Sequence, residues 1–432
     1  MKYQLDDKPR IFPLLMYGLQ WWIVSIPCVI IMGIIVVRLH FPDGGEQIFY
    51  MQKLFALMGL TMTVQVLWGH RLPLVIGPAS VLLIGILATI SVGINAVYTA
   101  IMVGGLLLAI LAYSGFLSRL QYIFTPRIII VILCLIAFTL SPVILRLTFG
   151  DGENSLFHLL FVLLLVFVMF LGNKLLRGIW KSVVVLCGII VGSLFYYGIL
   201  GFPIVSQATG IADGAFSLIQ WPWEFDISAI LSFVFCFIAL IVNELGSIQA
   251  VGKMIGADQL GKRTRRGVGL TGIANVLSGT MGIVGPVDYS MSPGIIAATG
   301  CASRYTLVPA GIGLFVCAFF PGFIQVLGAI PGAVMGAVMG AVLLYLMASQ
   351  LSAGLQMLTR EKCVVGFESG LIIAFPLMVA LLLSFAPEAA LQGIPVLIRP
   401  IIGNGFVMGV IMVLLLEHGV FRVKDHTKQR GD

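Results

Sequence analysis

Two acidic side chains lie deep inside apolar sequence, where carboxylates rarely occur without a task. Glu244 sits in Leu240-Ile241-Val242-Asn243-Glu244-Leu245, and Asp288 in Gly285-Pro286-Val287-Asp288-Tyr289. An ionisable group at the centre of a bilayer costs ~2.5 kcal/mol or more, so such groups mark solute pathways and proton relays. A carboxyl group that binds and releases a proton inside a protein can couple that proton to the movement of another solute. Glu244 and Asp288 are therefore the candidates for proton coupling, Glu244 first. The structural alternatives are a hydrogen bond between helices for Glu244 and an acceptor for free backbone N–H groups for Asp288. Glu368 and Glu417 fall near the ends of apolar runs, as do His70, His158 and His418. No nucleophile–base pair, metal-ligand cluster or phosphate-binding loop appears. The expectation is a protein that is not an enzyme and uses no cofactor.

Next to Asp288 the apolar pattern is interrupted, and a matching interruption lies half a chain earlier. The two stretches are Ile76-Gly77-Pro78-Ala79-Ser80-Val81 and Ser290-Met291-Ser292-Pro293-Gly294-Ile295. In each, an extended segment runs into a proline near the first helical position, where its missing N–H is no loss. Ser292 is also a good N-cap residue. Two half-helices would then begin inside the membrane, with free N–H groups and positive dipole ends facing a shared cavity. Paired breaks of this kind point to a binding site near the bilayer midplane. The alternative is two ordinary proline kinks.

The elements that must position these residues follow from hydropathy and charge. The 432 residues are 59% hydrophobic and only 10% charged, with mean hydropathy +1.09; soluble domains carry about 25% charged residues. Lipid is the solvent that fits, and continuous apolar runs indicate helices rather than a barrel. Fourteen spans are expected, at 14–37, 51–69, 72–91, 95–115, 128–148, 155–172, 181–200, 227–250, 267–286, 288–301, 305–328, 331–350, 364–385 and 395–417. With the N-terminus in the cytoplasm, only Arg38, Lys53, Arg146 and Arg399 of the 25 basic residues fall outside, and 21 fall inside. This bias obeys the positive-inside rule and puts both termini in the cytoplasm. The run Lys262–Arg266 reads as a topology and lipid-headgroup signal, with no nucleic acid partner. The charged start MKYQLDDKPR predicts no cleavable signal, and the seven cysteines read as small apolar fillers. Fourteen divides into seven plus seven, and an odd number per half makes the repeat inverted, as in secondary transporters.

Several stretches resemble the nucleobase–ascorbate transporters, also called nucleobase:cation symporters, which include bacterial uracil and xanthine permeases. Gly18-Leu19-Gln20 resembles that family's Gln-His motif in span one. Asn243-Glu244-Leu245-Gly246-Ser247 resembles its Glu-x-x-Gly-Asp pattern. Arg266 to Gly272 with Asn275 to Gly285, then Gly294 with Thr299 to Arg304, resemble its span-ten signature and the stretch leading into it. Ile330 to Gly336 resembles the start of its span twelve. The likeness is specific over about residues 240–350. It implies short strands before the half-helices of spans three and ten. It also implies a core domain of residues 1–115 and 227–328, a gate domain of residues 128–200 and 331–417, and a cytoplasmic tail at 418–432. The polar anchors differ. Asn243 stands at the family's span-eight Glu, with Glu244 one residue along, about 100° around the helix. Met291 stands where the family has a Glu or Gln that bonds the base, Ser292 at its Asn, and Trp21 at its His.

The leading expectation is a proton-coupled symporter of a xanthine- or uracil-like nucleobase, or a related planar heterocycle, working by alternating access in a bacterial inner membrane. Sodium is the alternative coupling ion, and a homodimer is compatible with the design. Substrate would be lined by Gln20, Trp21, Ala79, Ser80, Glu244, Asp288, Tyr289, Met291, Ser292 and Gly294. A second reading keeps the architecture and changes the ligand. Sulfate-permease-like anion transporters share the seven-plus-seven design and hold an anion between facing helix N-termini, although Asp288 would repel it. A channel or membrane scaffold is a third, disfavoured by buried acids beside broken helices.

Overall fold

The computed structural model describes residues 1–41, 44–115, 125–149, 155–176, 184–200, 219, 222–289, 292–322, 324, 332–360, 363–364, 366–387, 390, 393–394 and 402–421. In chain order its elements begin with α1 (Ile11–His40), α2 (Gly44–Leu67), β1 (Ile76–Pro78), α3 (Ser80–Thr89) and α4 (Ile94–Tyr113). Then come α5 (Pro126–Thr139), α6 (Ser141–Phe149), α7 (Ser155–Leu175), α8 (Val184–Leu200), α9 (Ile227–Met254) and α10 (Leu260–Met281). The remainder are β2 (Pro286–Asp288), α11 (Ser292–Thr299), α12 (Leu307–Cys317), α13 (Gly332–Arg360), α14 (Phe367–Ser384) and α15 (Gly405–Leu415). Among the described residues, five helices are long and apolar enough to cross a membrane: α1, α4, Leu156–Leu175 of α7, Ile227–Gln249 of α9, and α14. Contacts divide the chain into two compact units, Met1–Ser118 with Val143–Tyr345, and Arg119–Pro142 with Leu346–Asp432.

The first unit is built around a break in the helical pattern. β1 and β2 pair antiparallel, with Ile76 opposite Asp288, Gly77 opposite Val287 and Pro78 opposite Pro286. The ladder extends on either side, where the Ala79 N–H reaches Gly285 O and the Tyr289 N–H reaches Val75 O, at 2.9 and 2.8 Å. All six strand residues are buried. Non-helical backbone survives at membrane depth only where protein surrounds it and satisfies it. A helix follows each strand directly, α3 after β1 and α11 after β2. Pro293 is the second residue of α11, as the break pattern predicts. Pro78, by contrast, ends the strand, and Ala79 is the N-cap of α3. Strand pairing, rather than helix initiation, fixes the backbone at Pro78.

Glycines bring the surrounding helices close. A Cβ built on Gly272 of α10 would lie 2.5 Å from the Ala109 nitrogen of α4, and one on Gly105 would lie 2.6 Å from the Val276 nitrogen. Gly59 of α2 meets the Gly311 carbonyl of α12 in the same way. In lipid, such contacts replace the hydrophobic drive that is missing between apolar helices. At the amino end a strap of residues 2–7 lies along the segment after α11. The Lys2 N–H bonds Gly300 O, Tyr3 bridges to Cys301, and Arg304 holds Asp6 at 2.7 Å.

In the second unit, α5, α14 and α15 pack together. Arg127, at the start of α5, pairs with the buried Glu417 at 3.2 Å.

Replacing Gly272 by alanine should lower stability by about 1–3 kcal/mol, the usual cost of overpacking. The control is Gly261→Ala, where nothing lies within 4 Å of the new methyl group. Thermal melting of the purified variants should show a clear fall for Gly272→Ala alone. Equal melting temperatures would mean that the α4–α10 contact is not tight.

Candidate functional site

The site forms where one face of α9 meets the backbone at Asp288. Positions 243, 244 and 247 share that face by helical spacing. Glu244 Oε2 accepts the Asp288 N–H at 3.0 Å. Ser247 Oγ donates to Asp288 O at 3.1 Å, and Asn243 Nδ2 to the same oxygen at 3.4 Å. Asn243 and its neighbour Glu244 thus both grip β2. The other Glu244 oxygen accepts the Thr271 hydroxyl, and Thr271 Oγ1 in turn accepts from Gln65 Nε2 at 2.9 Å. Gln65 also reaches Gly267 O, and Asn275 of α10 ties Pro286 O at 3.0 Å. Bonds in such a chain strengthen one another and rigidify the site.

Both Glu244 oxygens therefore accept hydrogen bonds, whereas the Asp288 carboxyl has no donor among the described residues and lies beside the Glu244 carboxyl, where one proton would bridge the two. Asp288 is fully buried, and neither of its oxygens has a hydrogen-bond partner among the described residues. Facing Oδ1 at 3.5 Å is Nε2 of His70, which is also fully buried. Sequence reasoning missed His70, because it stands at the end of an apolar run with no partner at helical spacing. The turn after α2, together with the β1–β2 pairing, brings it to Asp288.

The other expected residues are placed as follows. Ser292 does not cap its own helix. Its hydroxyl accepts the Val75 N–H at 2.9 Å and donates to Tyr289 O, joining the two breaks. The Tyr289 hydroxyl donates to Pro78 O at 2.8 Å, and its ring covers Gly77, where a Cβ would lie 2.7 Å away. Ala79 is buried at the head of α3, and Ser80 begins that helix. Gln20 is buried, with Nε2 unpartnered among the described residues. Trp21 is drawn elsewhere, its indole N–H bonding Thr306 at 3.1 Å. Gly294 lies within α11, and Met291 lies outside the described residues. Among the described residues no group of His, Cys, Asp and Glu is arranged to hold a metal ion.

The Ser292 bridge carries a stability prediction. Ser292→Ala leaves the buried Val75 N–H without its acceptor, at about 1–3 kcal/mol. The same change at exposed Ser114 should cost much less. Comparable melting losses for the two variants would show that the bridge contributes nothing particular.

Comparison with known proteins agrees with this architecture. A nucleobase transporter of Paenibacillus larvae, PlUacP, is 26% identical over 391 residues, covering 87% of each chain. The xanthine permease of Bacillus subtilis is 25% identical over 406 residues, covering 90% of each. Among solved structures, the transmembrane domain of the cyanobacterial bicarbonate transporter BicA superposes with a TM-score of 0.60 at 14% identity. That match covers 92% of this chain and all of the other, and at this identity the likeness is one of fold. Residues 12–389 match the sequence model of the Permease family (Xan_ur_permease). The chain belongs to this family of xanthine and uracil permeases, and is a membrane transporter rather than an enzyme.

Proposed function

We propose that the protein is a secondary active transporter that carries a nucleobase of the xanthine or uracil type, or a related planar heterocycle, together with a proton. The observation that carries this reading is a family match across residues 12–389 with a buried, unpartnered Asp288 carboxyl at the crossing of two helix breaks. A base presents N–H donors in a plane, and a carboxylate is the acceptor that suits them. Asp288 is the anchor in this reading, taking the part of the acceptor that the family has at Met291. Tyr289 supplies an aromatic face, Gln20 a polar edge and Ser80 the N–H at the start of α3, with Ala79 and Ser292 holding the two breaks beside them. Glu244 holds β2 in register and shares the coupling proton with Asp288.

Alternating access requires two halves of similar build, and packing within the first unit supports a seven-plus-seven inverted repeat. Exchanging each span for its counterpart seven later turns the α4–α10 pair into the α12–α2 pair. Both are glycine-mediated contacts. The same exchange turns α9 against β2 into α1 against β1, and these also touch. On this reading fourteen spans form a core of residues 1–115 and 227–328 moving against a gate of residues 128–200 and 331–417. Both termini face the cytoplasm of a bacterium, and the tail beyond residue 421 lies outside the described residues. Sodium in place of the proton, and assembly as a homodimer, are compatible with the same architecture.

The likeness to a bicarbonate transporter favours one other reading, an anion held between the N-termini of α3 and α11. Two buried carboxyls beside that point oppose it. A thermal-shift screen of the purified protein against nucleobases, ascorbate and inorganic anions separates the two. Stabilisation by xanthine or uracil is expected, and a response to sulfate or bicarbonate alone would reverse the assignment. In cells, an uncoupler should collapse accumulation. Glu244→Gln should keep binding within a few-fold yet abolish accumulation; if the variant and the uncoupled cells both accumulate substrate normally, coupling through Glu244 is wrong.

A further inference from the structure

His70 is held on one edge of its ring and open on the other. Its backbone N–H bonds Gln65 Oε1 at 3.3 Å, and its Nδ1 takes the Leu72 N–H at 2.9 Å. A backbone N–H only donates, so Nδ1 supplies the lone pair and the neutral ring carries its proton on Nε2. Nε2 has no hydrogen-bond partner among the described residues, nor has either oxygen of Asp288, 3.5 Å away. A buried donor and a buried acceptor thus stand just beyond bonding distance.

The turn that presents the ring is itself fixed. Arg71 takes the left-handed conformation at φ +55°, unusual for a residue other than glycine. Its N–H closes onto Gln65 O at 3.1 Å. Arg263 of α10 donates to the carbonyls of His70 and Arg71 at 3.4 and 3.0 Å, and is anchored by Asp258 at 2.7 Å. The charged groups around His70 are Glu244 from α9, Asp288 from β2 and Arg263 from α10, with Arg71 next in the chain. The residue of α2 that touches it, Gln65, is neutral.

We infer that His70 is a fixed hydrogen-bond donor that receives the Asp288 side chain when it is a carboxylate and releases it when it is protonated. This rests on the proposed coupling through Asp288. A carboxylate accepts the Nε2–H bond. A protonated carboxyl keeps only its carbonyl oxygen as a weaker acceptor for Nε2–H, and its O–H is drawn to the acceptor beside it, the Glu244 carboxyl, so the side chain leaves His70. Loss of the proton restores the bond. His70 itself transfers nothing: giving up Nε2–H would leave an anionic ring, and protonating Nδ1 would break the bond to Leu72. It is a positioning residue that links where Asp288 points to whether Asp288 holds a proton.

Two substitutions divide the functions of the ring. His70→Asn keeps an acceptor near Leu72 N–H and loses the donor to Asp288. His70→Gln keeps a donor at similar reach and loses the contact to Leu72. Infrared spectra of the purified full-length protein, recorded across a pH titration, report the carboxyl band of Asp288, which Asp288→Asn identifies. With His70→Asn the band should persist to more alkaline pH, on the order of a tenfold gain in proton affinity, as expected when a donor to the charged form is lost. His70→Gln should titrate like the parent even if it melts lower. A parent-like titration for His70→Asn, or an Asp288 band that never titrates, overturns the inference. So does a titration shifted only in His70→Gln, which would make the ring an anchor for Leu72 alone. No substrate is present, so the outcome is independent of nucleobase recognition: a titration that behaves as stated in a protein binding no nucleobase keeps the donor and discards the substrate.

Discussion

A backbone that leaves the helix inside a membrane must find a partner for every N–H and C=O it frees, since lipid offers none. Here the two breaks supply each other. β1 and β2 pair over three residues, and Ser292 and Tyr289 extend the join by binding Val75 and Pro78 of the opposite break. Neither break is satisfied by its own residues alone, and α9 and α10 supply the remaining partners of β2. The pairing brings residues 76–78 and 286–288 together across more than 200 positions of chain. It also sets the register that carries Asp288 to its neighbours. Close glycine contacts between α4 and α10, and between α2 and α12, hold the frame in which so short a ladder can persist.

The carboxylates divide their work as a result. Glu244 spends both oxygens on structure, one on the Asp288 N–H and one on Thr271, and so fixes the strand on which Asp288 rides. Asp288 is left with its carboxyl buried between His70 and the Glu244 carboxyl, with no donor bonded to either oxygen among the described residues. A buried polar group without a partner costs about 1–3 kcal/mol or more. Natural structures tolerate that mainly where the group has a task. On the proposed reading, Asp288 is the acceptor that the site offers to the base.

Much of this was legible from residue types. The apolar composition dictates helices in lipid, and the matched prolines 78 and 293 mark both breaks. Glu244 and Asp288 stand out as acids in apolar sequence, and the motif resemblance leads to the family that residues 12–389 match. What could not be read was whatever depends on register. His70 looks like a residue at the end of a span until β1 is laid beside β2. Gln65 and Thr271 look like ordinary polar residues on their helices, yet they relay hydrogen bonds to Glu244. Pro78 has the pattern of a helix start, but strand pairing claims it first. Trp21 has the right place in its motif, and its indole N–H is taken by Thr306.

The sequence relatives include a xanthine permease, while a bicarbonate transporter shares the fold alone. On the proposed reading, two carboxyls where the half-helices meet suit the donors of a neutral base and repel an anion. Reconstitution into sealed liposomes loaded with a pH-sensitive dye puts this to the test. Adding xanthine or uracil outside should acidify the lumen as proton and base enter together, and Asp288→Asn should abolish the signal. Entry of bicarbonate or sulfate without any nucleobase-driven proton movement would contradict the account.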